Sequence, residues 1–143
     1  MENLNLNTDE LNSFIKAYNK KNEYKIDIET FIDHAKRYIK AIKDNRVICS
    51  IGSVSKSGMS RTIKFVELAK NDTSGQHQVL NFYQFFEALG YSPVKNSDYF
   101  RIGGCGMDMI FYTNYQIMND LRRIGLISKD ECSTLSQKTP SVI

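Results

Sequence analysis

Arg46-Val-Ile-Cys-Ser-Ile-Gly-Ser-Val-Ser-Lys-Ser-Gly-Met-Ser-Arg-Thr-Ile-Lys-Phe-Val-Glu-Leu68 reads as two β-like runs on either side of a serine-rich turn. Val47, Ile48 and Ile51 give the first run its strand composition, and small residues follow them. Thr62 to Leu68 alternates, which turns Ile63 and Phe65 inward, with Leu68 as a further inward candidate. The two runs are expected to form an antiparallel hairpin.

Upstream, Thr8 followed by Asp9 and Glu10 marks a helix start, since a hydroxyl accepts from first-turn amides and acids there suit the helix dipole. Leu11, Phe14, Ile15 and Tyr18 share a face, and Asn19 to Glu23 is a polar break. A second helix should begin near Asp27, with Ile28, Phe31, Ile32, Ala35, Tyr38, Ile39 and Ile42 at spacings of three and four. Downstream, Asn71 to Gly75 reads as a turn. Val79 to Leu89 reads as a helix that exits at Gly90, although its aromatic residues also suit a strand. Asp98 to Ile102 is a short strand candidate, and Met109 to Ile124 a last amphipathic helix ending at Gly125. Ser128 to Ile143 turns polar and is expected to be partly disordered.

The expected architecture is therefore α+β: two N-terminal helices followed by a small antiparallel sheet flanked by two helices. It divides into an N-terminal helical extension (1–45), a motif-bearing core (46–126) and a polar C-terminal tail (127–143). A length of 143 residues with 41% hydrophobic content, 8 Phe and 8 Tyr supports a real core. The net charge of +3 permits contact with an anion but is too small for a protein that coats DNA. Cys49, Cys105 and Cys132 lack pair spacing, which argues against a disulfide framework and, with His34 and His77 scattered, against a metal site. No stretch suits an export signal or a membrane span, so a cytoplasmic protein without cofactor or metal is expected.

Two loops carry the functional signal. In the first, Ser53, Ser55, Ser57 and Ser60 supply hydroxyls, Gly58 permits a positive-φ turn, and Lys56 and Arg61 supply positive charge. Phosphate recognition uses these parts, yet the glycine spacing is not that of a Walker A loop. The plainer reading is a hairpin turn whose serines satisfy their own backbone; against it, Met59 is an apolar residue at a serine-rich tip and calls for a packing partner. In the second loop, Gly103, Gly104 and Gly106 sit between a strand and a helix, where amides attract anions. Asp108 either caps that helix or accepts from a ribose hydroxyl or a base amine. Cys105, at a prospective helix start, would have a lowered pKa, but no base lies near it in sequence.

At Ser55 to Arg61 and Gly104 to Met109 the chain resembles a group of small bacteriophage proteins with a Ser-x-Ser-Gly-Met-Ser-Arg loop and a later Gly-Cys-Gly-Met-Asp-Met run. The likeness covers about Val47 to Leu121. In that group the second run continues with glycine and then histidine; Ile110, Phe111 and Tyr112 stand here instead, which argues against a histidine-dependent reaction. The resemblance implies a phage accessory protein in a bacterial host cell, and by analogy with such proteins an inhibitor of host defence. Two forms of that function are open. One is anti-CRISPR-like occupation of a nuclease effector through the N-terminal helices; the other is sequestration of a nucleotide signal by Lys56, Arg61 and the amides near Gly104. The alternatives are a small enzyme acting on a nucleotide or nucleic acid, with Cys105 and Asp108 in its site, and a regulator that binds DNA or RNA directly.

Overall fold

In the computed structural model, which describes residues 6–21, 25–72, 74, 76–103 and 108–143, the hairpin forms as expected. β1 (Val47–Val54) pairs antiparallel with β2 (Ser60–Leu68), Val47 opposite Glu67 and Ile51 opposite Ile63, with a register shift between Ile51 and Val54. β5 (Phe100–Gly103) pairs with the first half of β2, and β3 (Gln78–Asn81) takes the rest of that edge. β4 (Ser92–Pro93) extends the sheet beyond β5, and β6 (Ser141–Val142) lies against the other edge of β1.

Because β6 runs parallel to β1, the sheet is mixed and not the wholly antiparallel one expected. A strand that returns by way of helices can enter an edge in either direction, and the intervening elements set that direction here. The helix expected over Val79 to Leu89 is likewise divided. Its first residues complete the free edge of β2 as β3, and only α3 (Tyr83–Ala88) is helical before Gly90 exits at φ 102°. An unfilled strand edge gains ladder hydrogen bonds that helix propensity does not outweigh.

α1 (Thr8–Lys21) starts where expected, but its first-turn acceptor is Asn7, whose Oδ1 accepts from Glu10 N at 3.2 Å. Asp27 caps α2 (Ile28–Lys43), accepting from Thr30 N at 2.7 Å. α4 (Asp108–Ile124) completes the expected set. All these helices, read from sequence partly as an extension, share one buried cluster with the sheet: Leu11, Phe31, Tyr38, Phe65, Phe86 and Ile117 belong to it together. Strand alternation turns Cys49, Ile63, Phe65 and Phe100 toward that core, while Ile48, Val66 and Leu68 form a separate small cluster. Leu68 is therefore buried with the opposite set, and the inward position in line with Ile63 and Phe65 belongs to Glu67. The Glu67 carboxylate is tolerated there because Arg37 Nε at 2.6 Å and Arg46 Nη1 at 2.7 Å both donate to it.

The segment expected to be a disordered polar tail forms α5 (Lys129–Leu135) and then β6. Its start signal is a capping box, Ser128 with Glu131, followed by buried Cys132 and Leu135. It is fastened by Asn114, fully buried on α4, which donates to the carbonyls of Leu135 (2.9 Å) and Lys138 (2.6 Å) while accepting from Tyr38 Oη (2.8 Å). Burial pushes the Tyr38 hydroxyl well above its ordinary pKa, so it remains a donor.

On the sheet face away from the helices, the Tyr99 ring rests over Gly52. A Cβ there would meet Thr62 Oγ1 and come within 3.1 Å of two ring carbons.

Asn114→Ala should cost about 3 kcal/mol, since two carbonyls and a hydroxyl lose their buried partner. Hydrogen exchange should show the amides of α5 losing protection before those of β1 and β2; uniform loss would contradict the anchoring role. Gly52→Ala should lower stability by about 1–3 kcal/mol through overpacking against Thr62 and Tyr99, read from urea midpoints.

Candidate functional site

The serine loop is closed on itself. Ser55 N donates to the carbonyl of Ser60 (3.0 Å) and Gly58 N to that of Ser55 (2.9 Å), with Gly58 at φ 74°. Ser60 N donates to Ser55 Oγ (3.2 Å), Met59 N to Ser57 Oγ (3.3 Å), and the Ser55 and Ser57 hydroxyls lie 3.2 Å apart. The serines thus serve the turn, the plainer of the two readings, and a phosphate would have to displace these bonds. Lys56 is exposed, and Met59 is 70% exposed, without the packing expected of it. Arg61 is in β2, paired in register with Ile102, and its Nε is buried without a hydrogen-bond partner among the described residues.

Gly103 is the register partner of Ser60, so the end of the first loop adjoins the start of the second. A Cβ on Gly103 would meet nothing within 4 Å. Gly104, Cys105 and Gly106 fall outside the described residues. The chain re-enters at Asp108, the first residue of α4.

Between the edge of β5 and the first turns of α4 lies a cleft of about 500 Å³. Gly103 and Asp108 line it, as expected, together with Arg101, Tyr91, Tyr112 and Gln116. Ser55, Lys56, Ser57, Gly58, Ser60 and Arg61 are not part of that lining. The two loops are neighbours through the β2–β5 ladder, but the serine loop is not a wall of this recess. Its side chains are held in the turn, and β5 directs the cleft toward α4.

The cleft continues into a second hollow of about 450 Å³ lined by Tyr115, Asn119 and Asp120, with Gly90, Tyr91 and Gln116 common to both. Tyr91 Oη donates to Gln116 Oε1 at 3.4 Å where the two meet. Burial, and then the nearby Asp120 carboxylate, raises the Tyr91 hydroxyl, which therefore remains protonated. Burial also raises Asp120, against the lowering effect of Arg123 2.9 Å away. Tyr112 and Tyr115 are 59% and 46% exposed, and the Phe111 ring lies between them, stacked on Tyr115 at 6.2 Å. Sequence reading passed over this groove. Its signal was aromatic residues on the solvent side of an amphipathic helix.

Chemically the cleft sets a guanidinium, a carboxylate, an amide and tyrosine faces around one space. The described thiols lie elsewhere: burial pushes Cys49 up to about 12 and raises Cys132 as well. Comparison with family models, with curated proteins and with solved structures returns no match for the chain. Among the described residues no helix is long and apolar enough to cross a membrane.

At pH 8, iodoacetamide should leave Cys49 unmodified in the folded protein and alkylate it in urea, since its thiolate is populated only near pH 12. Peptide mass mapping checks this, and equal labelling in both states would show that the thiol is accessible.

Proposed function

We propose that this chain is a non-catalytic binding protein that takes a phosphorylated nucleotide into the cleft between β5 and α4. One juxtaposition carries the reading: Arg101, Asp108 at the start of the 17-residue α4, and half-exposed Tyr112 line a single space of about 500 Å³. A phosphate is attracted by a guanidinium and by helix-start amides. A base is covered by a tyrosine face, and a carboxylate such as Asp108 accepts from a ribose hydroxyl or an exocyclic amine. The volume suits a ligand of that size.

Taken with the phage resemblance, the protein is an accessory factor that inhibits a host defence by sequestering a nucleotide signal in the bacterial cytoplasm. This form is preferred to occupation of a nuclease by the exposed face of the N-terminal helices because the cleft offers a concave space of ligand size.

A thermal-shift series with mono-, di- and cyclic nucleotides and inorganic phosphate tests the reading. A ligand at one hundred times its Kd stabilises by about 2.7 kcal/mol, a rise in Tm of several degrees for a domain of this size. Arg101→Gln should abolish the rise while shifting the free protein by about 0.5 kcal/mol or less, as for an exposed position. A folded protein that no nucleotide stabilises overturns the proposal.

A further inference from the structure

The sheet face opposite the helices carries a second arrangement, which has only Arg101 in common with the nucleotide cleft. All five helices contribute to the single core cluster on one side of the sheet. On the other side, register aligns Ser50 with Lys64 and Thr62 with Arg101 on neighbouring strands. Continuing the β2–β5 pairing by one residue brings Tyr99 beside Lys64, and Lys64 Nζ lies 5.3 Å from the centre of its ring. That ring rests on the sheet over Gly52, where any side chain would collide with it. Ser50, Lys64 and Tyr99 are partly exposed and Arg101 is exposed.

The charged residues that the register places on this face, Lys64 and Arg101, are both positive. Glu67, although on β2, faces the core between Arg37 and Arg46. Lys64 and Arg101 are diagonal neighbours on adjacent strands, about 7–8 Å apart at the backbone, a separation that suits successive phosphates of an extended strand. Lys56 is exposed at the hairpin tip.

We infer that this open sheet face is a docking surface for single-stranded nucleic acid, with Tyr99 as the stacking platform and Lys64 and Arg101 on the phosphates. An aromatic ring fixed to a flat basic sheet accepts any unpaired base against its outer face, while cations beside it follow the backbone. A duplex hides its bases and offers a sheet face only phosphates, so it lacks the stacking contribution.

Fluorescence anisotropy on the full chain, with labelled dT20, rU20 and a 20-base-pair duplex at 50 mM salt, tests this. Both single strands should bind more tightly than the duplex, the DNA and RNA arms deciding which is preferred. Tyr99→Leu keeps apolar cover over Gly52 but removes the ring, and should weaken single-strand binding about tenfold. Lys64→Gln should reduce the slope of log affinity against log salt by about one. A Lys36→Gln/Lys40→Gln variant, altered on α2 instead, should bind as the parent does. If Tyr99→Leu fails to fold by circular dichroism, Lys64→Gln decides alone. No binding, preference for the duplex, or an unchanged salt slope in folded Lys64→Gln each overturns the inference.

Discussion

The rest of the architecture depends on one buried side chain, Asn114. A primary amide with 0% exposure in an apolar core is tolerated only if its donors and acceptor are all occupied. Here they are: two backbone carbonyls of the C-terminal segment on one side, and the hydroxyl of equally buried Tyr38 on the other. Tyr38 in turn packs edge-on against Phe82 at 5.1 Å and beside Phe85 at 5.4 Å. Three helices and the returning chain therefore meet at one polar point inside an aromatic cluster. Aromatic packing supplies the burial, and the amide fixes which way the final segment runs, so that β6 reaches the edge of β1.

The gathering of every helix on one face follows from the sheet. β2 is paired along both edges, by β1 on one and by β5 and β3 on the other, and its inward residues Ile63 and Phe65 are almost wholly buried. Of its outward residues, Val66 and Leu68 are buried with Ile48 and Thr62 lies beneath Tyr99, which leaves Lys64 partly exposed on a face away from the helices. The arrangement has two consequences for binding. At the sheet's β4 edge, only two residues long, the side of β5 is left open and α4 closes over it to make the cleft. On the open face, Gly52 lets Tyr99 lie close to the backbone, so an aromatic ring is held at the surface without a hydrophobic patch around it.

The two surfaces call on similar chemistry with different geometry. The cleft is concave, with a carboxylate and an amide beside its guanidinium, a setting in which small ligands can be told apart. The sheet face sets a ring beside cations, a setting that on the inference above would tolerate any base. A protein that sequesters a nucleotide needs the first, and one that touches nucleic-acid machinery gains from the second. Neither needs a nucleophile, and the buried Cys49 and Cys132 offer none.

Local pattern alone determined the hairpin, the two N-terminal helices and α4. Alternation in Thr62–Leu68 and the three-and-four spacing of α2 encode burial directly, because each residue's face follows from its position in a regular element. The same local logic identified the serine turn, but it left open whether the serines serve a ligand or their own backbone; the bonds that answer this join residues at most five apart. What tertiary structure alone decided are the features that need a distant partner. Gln78–Asn81 became a strand because β2 had an edge to fill; Glu67 took an inward place because Arg37, thirty residues away, meets it. The last segment folded because Asn114 lay ready to receive its carbonyls. The cleft itself joins residues on β5, α4 and the turn after α3, which no spacing in the sequence could have brought together.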